Sequence, residues 1–170
     1  IPTLLDMFKN DFGYIHILTH LGKITVEIKT ANVSDAGTNG GVYLGIGRRE
    51  FRLNKTGNQF EPGSTDTFVI GVDGNISNPN NVNDLPLGAH MNAPEIQFSA
   101  VDNNPVYIRF EPGNNNDNWN VESVRLTAQQ YDGPDPGDVS QYTDPFSEND
   151  NRIWLGNNSG LIIVLAGATF

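Results

Sequence analysis

The sequence offers few side chains that could catalyse a reaction. There is no cysteine, and the three histidines, His16, His20 and His90, are scattered along the chain. The spacing of His16 and His20 would suit a metal pair on a helix, but here it falls in a stretch with a strand-like pattern. Motifs of serine hydrolases, zinc proteases and phosphate-binding loops are absent, and Gly45–Gly47 leads from one strand pattern into another. We therefore expect a binding protein and no enzyme, with no catalytic residue.

Two acidic side chains lie in loops that could wrap a hard cation. Asp35 stands in SDAGTNGG and Asp117 in PGNNNDNW. Calcium takes carboxylate, amide and backbone carbonyl oxygens, and asparagine and glycine leave such oxygens accessible in turns. Neither loop has the carboxylate spacing of an EF-hand. The spacing of these residues alone therefore leaves two interpretations open for each loop: it is a plain turn, or it forms part of a calcium site.

Composition and charge exclude several classes of partner. The chain of 170 residues has a formal net charge of −10, which argues against nucleic acid, because that affinity comes from cations that neutralise phosphates. The same charge opposes unaided docking on an anionic membrane but is compatible with divalent cations. The longest apolar run, Leu161–Ala168, is shorter than the roughly 18 residues that a transmembrane helix needs. The start Ile-Pro-Thr has no basic region, so we expect that any signal peptide has been removed.

Alternating apolar and polar residues predict an all-β fold. In ITVEIK, Ile24, Val26 and Ile28 face one side and polar residues the other, as in a half-buried antiparallel strand. A closed barrel is the alternative, but two loops longer than ten residues favour an antiparallel sandwich of about eight strands in two sheets. The predicted strands are Tyr14–Leu18, Ile24–Lys29, Val42–Ile46, Glu50–Leu53, Asp66–Val72, Glu95–Ala100, Val106–Phe110, Val121–Ala128 and Leu161–Leu165.

The segments around these strands carry further expectations. Leu4, Leu5, Phe8 and Phe12 suit one face of a short N-terminal helix. The length of the loop Asp73–Pro94 indicates either a functional loop or an ordered excursion. The composition of Tyr131–Glu148 predicts an extended surface connection. We also predict that Gly63–Asp66 is a buried turn with the Asp66 carboxylate bonded to backbone amides. Trp119 and Trp154 are either core anchors or exposed tips, and we favour the core for both because each sits beside a strand pattern.

Four segments, in order, resemble the PLAT/LH2 domain. They are ITVEIKTANVSDAGTNGGVYLGI, NQFEPGSTDTFVI, VYIRFEPGNNNDNWNVESVRLTA and NRIWL, the last with Ile153 inserted into the family's N-R-W-L. Each is weak alone, but together they span residues 24 to 165. The resemblance implies a two-sheet sandwich of eight strands, found beside lipoxygenase and lipase catalytic domains and in bacterial phospholipase C toxins. It divides the chain into a lead-in, residues 1–22, and a PLAT/LH2-like domain, residues 23–170.

The resemblance also implies a calcium site. Carried over position by position, its ligands are Asp35, Gly37, Asp117 and Asn118. A second family site would fall at Asn54–Gln59, where this chain has a lysine and no acid, so we expect none there. The family often has another acid after the threonine of D-A-G-T, where this chain has Asn39 and Gly40, which lowers the charge of the site.

The function implied is calcium-assisted docking of a secreted, extracellular protein to membrane lipid or to a protein partner. A carbohydrate-binding module and a purely structural interaction domain are the alternatives, since fold does not fix function. A glycan binder would expose flat aromatic side chains among Trp119, Tyr131, Tyr142 and Trp154. Calcium binding requires Ser34–Gly40 and Asn114–Trp119 to lie side by side at one end of the sandwich, with the Asp35 and Asp117 oxygens and the Gly37 carbonyl converging on one point.

Overall fold

In a computed structural model, described over residues 21–71, 73–77, 96–130, 139–144 and 152–168, the chain forms two antiparallel sheets. The lead-in helix, the strand Tyr14–Leu18, all three histidines, Tyr131 and most of the loop Asp73–Pro94 lie outside these residues. The strands are β1 (Leu21–Thr30), β2 (Gly41–Ile46), β3 (Arg49–Arg52), β4 (Thr65–Gly71), β5 (Tyr107–Glu111), β6 (Trp119–Gln130), β7 (Val139–Thr143), β8 (Ile153–Leu155), β9 (Ile162–Val164) and β10 (Ala166–Ala168); one helix, α1 (Phe98–Asp102), is also described.

The first sheet has the order β10-β7-β6-β1-β4, and β8 also pairs with β6, while the second has the order β3-β2-β5-β9. β6 is long enough for two partners along one edge: Trp119–Val121 pairs with β8 and Arg125–Gln129 with β7. β1 lies between β4 and β6, so the strands predicted at Ile24–Lys29 and Val121–Ala128 are hydrogen-bonded neighbours. The predicted antiparallel two-sheet architecture is confirmed, with ten strands in the described residues where about eight were expected.

One apolar core lies between the sheets. Val26 and Leu126 come from the first sheet and Leu44 and Ile108 from the second, and all four are fully buried in one cluster. Trp119 is also fully buried, with its ring centroid 5.8 Å from that of Phe110 in the opposite sheet. The predicted burial of Trp119 is confirmed. Burying each of these large side chains contributes about 1.5–3 kcal/mol to folding.

Two sequence predictions on local structure are wrong. The predicted strand Glu95–Ala100 is replaced by α1, because side-chain amides of the asparagines that follow satisfy its last carbonyls: Asn103 Nδ2 lies 2.8 Å from the Ser99 oxygen and Asn104 Nδ2 lies 2.6 Å from the Ala100 oxygen. The predicted surface connection Tyr131–Glu148 contains β7, which pairs with β6.

Among the described residues we find no helical segment with both the length and the apolar character that spanning a bilayer requires.

Candidate functional site

The loop after β1 and the loop before β6 are tied together by a buried threonine. Thr38 is 7% exposed, and its hydroxyl oxygen lies 2.9 Å from each carboxylate oxygen of Asp117. The same hydroxyl oxygen accepts the Gly40 N–H at 2.8 Å. The Thr38 hydroxyl, which belongs to the loop after β1, therefore orients the Asp117 carboxylate of the loop before β6.

The second loop holds the Asp117 carboxylate from its own backbone as well. The Gly113 N–H donates to Asp117 Oδ2 at 2.8 Å. Asn114 shapes the turn between them: its side-chain oxygen accepts the Asn116 N–H at 2.9 Å, and its carbonyl accepts the Asp117 N–H at 3.2 Å. These are the local bonds by which asparagine stabilises turns.

Backbone bonds and glycine contacts keep the two loops at a fixed distance. The Asn120 N–H donates to the Ala36 carbonyl at 2.9 Å, and the Ala31 N–H donates to the Asn120 carbonyl at 2.9 Å. Gly40 packs so closely that a Cβ there would lie 2.9 Å from Asp117 Oδ2 and 2.5 Å from the Glu111 carbonyl oxygen. The prediction that the two loops lie side by side at one end of the sandwich is confirmed.

A third segment, Phe60–Asp66, forms the remaining wall. Asp66 is 5% exposed, and its Oδ2 accepts the Phe60 N–H and the Ser64 hydroxyl, both at 2.8 Å. Lys55 Nζ lies 3.3 Å from Asp66 Oδ1. The predicted bonding of Asp66 to backbone is confirmed for one amide, but the turn itself is not buried: Gly63 is exposed and adopts a φ of 77°. Glycine tolerates this left-handed backbone without steric cost.

These three segments enclose an open cleft with an acidic lining. Asp35, Glu61 and Asp117 all line it, together with Gly37, Thr38 and Gly113. Within the described residues, the lining includes no lysine or arginine. Asp35 is exposed, has a φ of 60°, and its Oδ2 accepts the Ser34 hydroxyl at 3.1 Å. The cleft therefore concentrates negative charge without a basic side chain to neutralise it.

The sequence-predicted ligands are only partly brought together. Asp35, Gly37 and Asp117 line the cleft, whereas the Asn118 side chain lies beside Gly156 and donates to the Asn116 carbonyl at 3.1 Å. Glu61 is a lining acid that the sequence analysis missed, although it stands just before the P-G-S-T-D-T-F run. Among the described residues, no group of three or more acidic, histidine or cysteine side chains is placed to hold a metal ion. A cation here would need backbone, amide or water oxygens to complete its shell.

The neighbouring turn Asn54–Gln59 is held by groups of its own. Gln59 Nε2 donates to the Lys55 carbonyl at 2.6 Å and to the Gly57 carbonyl at 2.8 Å, while Gln59 Oε1 accepts the Lys55 N–H at 3.0 Å. The Lys55 ammonium is directed to Asp66 and lies 5.1 Å from the centroid of the Phe68 ring. The Gln59 amide thus engages two carbonyl oxygens of this turn, while the Lys55 ammonium engages the Asp66 carboxylate outside it.

The predicted burial of Trp154 is wrong. Its side chain is 41% exposed on β8, where it is the register partner of Asn120. β8 alternates, so that Leu155 points into the core and Trp154 points out. Trp119 and Tyr142, two other candidates for an aromatic glycan platform, are buried.

The outer face of the second sheet carries a separate polar network. Arg109 donates to Glu50 through Nε at 2.8 Å and Nη2 at 2.9 Å, and its guanidinium carbon lies 4.1 Å from the Tyr43 ring centroid. The Tyr107 hydroxyl donates to Glu50 at 3.1 Å. The hydrogen bonds from Arg109 hold the pKa of Glu50 below its usual value, while desolvation and the bond to Glu50 raise the pKa of Tyr107.

Comparison with known proteins identifies relatives in sequence and in fold. No family model matches the chain. It is 32% identical over 113 residues to a phospholipase C of Clostridium novyi, covering 62% of this chain and 23% of the relative. The alpha toxin of Clostridium absonum superposes with a TM-score of 0.51 at 22% identity, over 88% of this chain and 32% of the toxin chain. A LOX structure aligns with a TM-score of 0.47 at 17% identity, over 86% of this chain and 16% of that one.

The chain therefore spans about a quarter of the phospholipase C and about a third of the toxin chain. The resemblance to the PLAT/LH2 domain of phospholipase C toxins is confirmed by these matches, in sequence for the phospholipase and in fold for the toxin.

Proposed function

We propose that this chain is a non-catalytic module of an extracellular protein that docks on phospholipid with the help of calcium. The observation that carries the proposal is the acidic cleft, in which Asp35, Glu61 and Asp117 gather on three segments without a basic side chain among the described lining residues. The sequence relative supports the choice of partner, because a phospholipase C, as its name says, acts on phospholipids.

The residues at the cleft fit a calcium ion by the chemistry of their donors. Carboxylate and carbonyl oxygens are the ligands that calcium prefers, and Asp35, Asp117 and the Gly37 carbonyl would hold it. When bound, calcium supplies positive charge and open coordination positions for phosphate oxygens. The chain's own residues position the ligand: Thr38 and the Gly113 N–H orient the Asp117 carboxylate and leave lone pairs on both of its oxygens.

The acidity of the protein explains why a cation is needed. With a net charge of −10, and with acids at the cleft, an approaching phosphate group is repelled by Coulomb forces over about 8–10 Å at physiological salt. Bound calcium offsets two of the three negative charges that Asp35, Glu61 and Asp117 bring to the cleft, and the ion itself offers a positive centre to phosphate oxygens. Docking should therefore require calcium at millimolar or lower concentration, the range in which extracellular calcium sites work.

The alternative hypothesis of a carbohydrate-binding module is weakened, because two of the aromatic side chains that could stack on a sugar, Trp119 and Tyr142, are buried. Among the candidates that the structure describes, Trp154 alone is exposed, and one ring does not make the extended platform that a sugar chain needs.

The proposal is tested first by thermal unfolding with calcium or chelator. Calcium at 100 times its dissociation constant adds about 2.7 kcal/mol to the stability, which raises Tm by several degrees in a domain of this size. Asp35→Asn should reduce that increase to near zero. Asp73→Asn is the matched control, because Asp73 is also exposed with a φ of 60° but stands outside the cleft, paired with Lys23.

The second test is co-sedimentation with phosphatidylcholine vesicles. The wild type should sediment with calcium and stay in solution with chelator, and Asp35→Asn should stay in solution in both. Stabilisation by calcium that is equal in Asp35→Asn and the wild type would refute the site, and sedimentation that ignores chelator would refute the calcium dependence.

A further inference from the structure

The exposed apolar side chains of this protein are concentrated in one stretch. In the part of the chain that the structure describes, all four large apolar residues that are exposed fall between residues 154 and 164: Trp154 at 41%, Leu161 at 38%, Ile162 at 55% and Val164 at 57%. This stretch, here called the apolar crossover (residues 154–164), leads from β8 in the first sheet to β9 in the second. Single exposed apolar residues scattered over a surface are ordinary, whereas here all four fall within eleven consecutive positions of the chain.

The apolar crossover begins beside the second loop of the acidic cleft. Trp154 is the register partner of Asn120, and Leu155 is the partner of Trp119, so β8 lies against the residues that directly follow that loop. The turn after β8 touches the loop: Gly156 lies against the Asn118 side chain, and Asn157 Nδ2 lies 3.5 Å from the Asn115 carbonyl oxygen.

The second half of the apolar crossover also starts at the cleft end. The Phe110 N–H donates to the Leu161 carbonyl at 2.8 Å, and Phe110 comes just before Glu111, whose carbonyl oxygen packs against Gly40 of the first cleft loop. Ile162 pairs with Arg109 and Val164 with Tyr107, so β9 runs away from the cleft. Trp154 and Leu161 therefore flank the same end of the sandwich as Asp35 and Asp117.

Of the large apolar side chains that the structure describes as exposed, none comes from the loops of the cleft itself. The exposed residues of the first loop are Asn32, Ser34, Asp35 and Asn39, and those of the second loop include Asn114, Asn115 and Asn116. Such loops can bind a headgroup but have nothing to place among acyl chains. The neighbouring apolar crossover supplies the missing component.

We infer that the apolar crossover is the part of this protein that enters the bilayer, with Trp154 and Leu161 reaching the boundary between headgroups and acyl chains. The inference rests on the proposed calcium-assisted docking and adds the surface that contacts lipid. Tryptophan suits this position because its ring is apolar and its indole N–H is polar. The amide-rich turn Asn157–Ser159 would remain among the headgroups.

A bilayer fits the apolar crossover better than a protein surface does. Stable protein interfaces bury about 800 Å² on each partner, which four partly exposed side chains on a narrow edge do not provide. Trp154 also points out from the first sheet while Ile162 and Val164 point out from the second, so the four do not form one flat patch. A fluid lipid layer can surround a projecting edge of this kind.

The test uses the two tryptophans of the chain. With phosphatidylcholine vesicles carrying brominated acyl chains, calcium should quench part of the tryptophan emission, because Trp154 reaches the bromines and Trp119 is buried in the core. Trp154→Phe keeps the apolar contact but should abolish the quenching. A quenching signal of equal size in Trp154→Phe would overturn the inference.

The affinity of the protein for phosphatidylcholine vesicles provides an independent test. The double variant Leu161→Ser/Ile162→Ser should weaken calcium-dependent vesicle binding by about tenfold or more, with its thermal stabilisation by calcium unchanged. Val69→Ser is the control, since Val69 lies on β4, half-buried, and outside the crossover. Wild-type binding retained by the double variant would overturn the inference and leave the calcium site standing. A failure of calcium to stabilise the wild type would instead refute the proposed function, and dimerisation lost in the double variant with vesicle binding intact would identify a protein interface.

Discussion

Thr38 and Asp117 are 79 residues apart in sequence, yet the Thr38 hydroxyl oxygen lies 2.9 Å from both carboxylate oxygens of Asp117. The contact joins the loop after β1 to the loop before β6, and it holds an acid in place without a basic partner. A hydrogen bond from a neutral hydroxyl orients a carboxylate but leaves its charge in place. Asp117 thus remains able to attract a cation.

The first prediction concerns this contact. Thr38→Val removes the hydroxyl from a buried position at nearly constant volume, and should lower the free energy of unfolding by about 1.5–3 kcal/mol, the range for hydrogen bonds to charged groups. The thermal stabilisation by calcium should also shrink, because Asp117 loses its orientation. Differential scanning calorimetry with and without calcium measures both effects.

Two controls separate the bond from the side chain. Thr38→Ser keeps the hydroxyl and should recover most of the calcium effect. Thr65→Val makes the same change at an exposed position of β4 and should alter stability by less than about 0.5 kcal/mol. Equal calcium responses in Thr38→Val and the wild type would show that the contact is structural only.

The second prediction concerns Asp66. Asp66→Asn keeps the shape but removes the charge that faces Lys55 at 3.3 Å and weakens the bonds from Phe60 and Ser64. The expected loss is about 3 kcal/mol, since a buried acid is replaced and an ammonium group loses its partner. Urea unfolding gives the value. Adding Lys55→Met should restore part of the loss, and a double variant as unstable as the sum of the two single ones would disprove the coupling.

The sequence predicted the fold where the pattern was local. Ile24, Val26 and Ile28 alternate into the core as expected. Asp35 and Asp117 line one cleft because β1 and β6 are antiparallel neighbours, so that the loop after β1 adjoins the loop before β6. α1 was missed because its stability depends on Asn103 and Asn104, which lie beyond the strand-like segment. β7 was missed because a short strand among turn residues is defined mainly by its partner β6.

The wrong prediction for Trp154 also arose because pairing with another strand decides the result. The prediction placed it in the core because it sits beside a strand pattern, but one residue of register decides which face a side chain takes. Leu155 pairs with buried Trp119 and so takes the inner position. For Asn118 the backbone position was right, but the side chain is drawn toward Gly156 by the β8 turn, a contact that no local pattern reveals.

The third prediction is a pH dependence from Glu50. Hydrogen bonds from Arg109 hold the pKa of Glu50 below its usual value in the folded protein. The unfolded chain therefore binds the proton more readily in acid, so this contribution is complete above the unfolded pKa of about 4.3 and is lost as the pH falls through the lower folded pKa. Because Glu50 is one-third exposed, the contribution should stay below about 1 kcal/mol.

Calorimetric Tm values measured from neutral pH down into acid check the sign. Glu50→Gln should be less stable than the wild type at neutral pH, and the difference should vanish in acid. Arg109→Met removes the cause of the shift and should erase the same pH-dependent difference. A difference between Glu50→Gln and the wild type that grows in acid would contradict the assignment.

The last prediction uses two glycines that face the same oxygen atom. A Cβ at Gly40 would lie 2.9 Å from Asp117 Oδ2 and 2.5 Å from the Glu111 carbonyl oxygen, whereas a Cβ at Gly113 would lie 3.3 Å from that Asp117 oxygen. Gly40→Ala should cost about 1–3 kcal/mol by overpacking and should reduce the stabilisation by calcium, because the backbone contact resists adjustment. Gly113→Ala needs a shift of only a few tenths of an ångström and should change both quantities little. Urea unfolding and calcium-dependent Tm measurements of the two variants make the comparison, and equal effects at both positions would show that the spacing of the cleft loops does not govern cation binding.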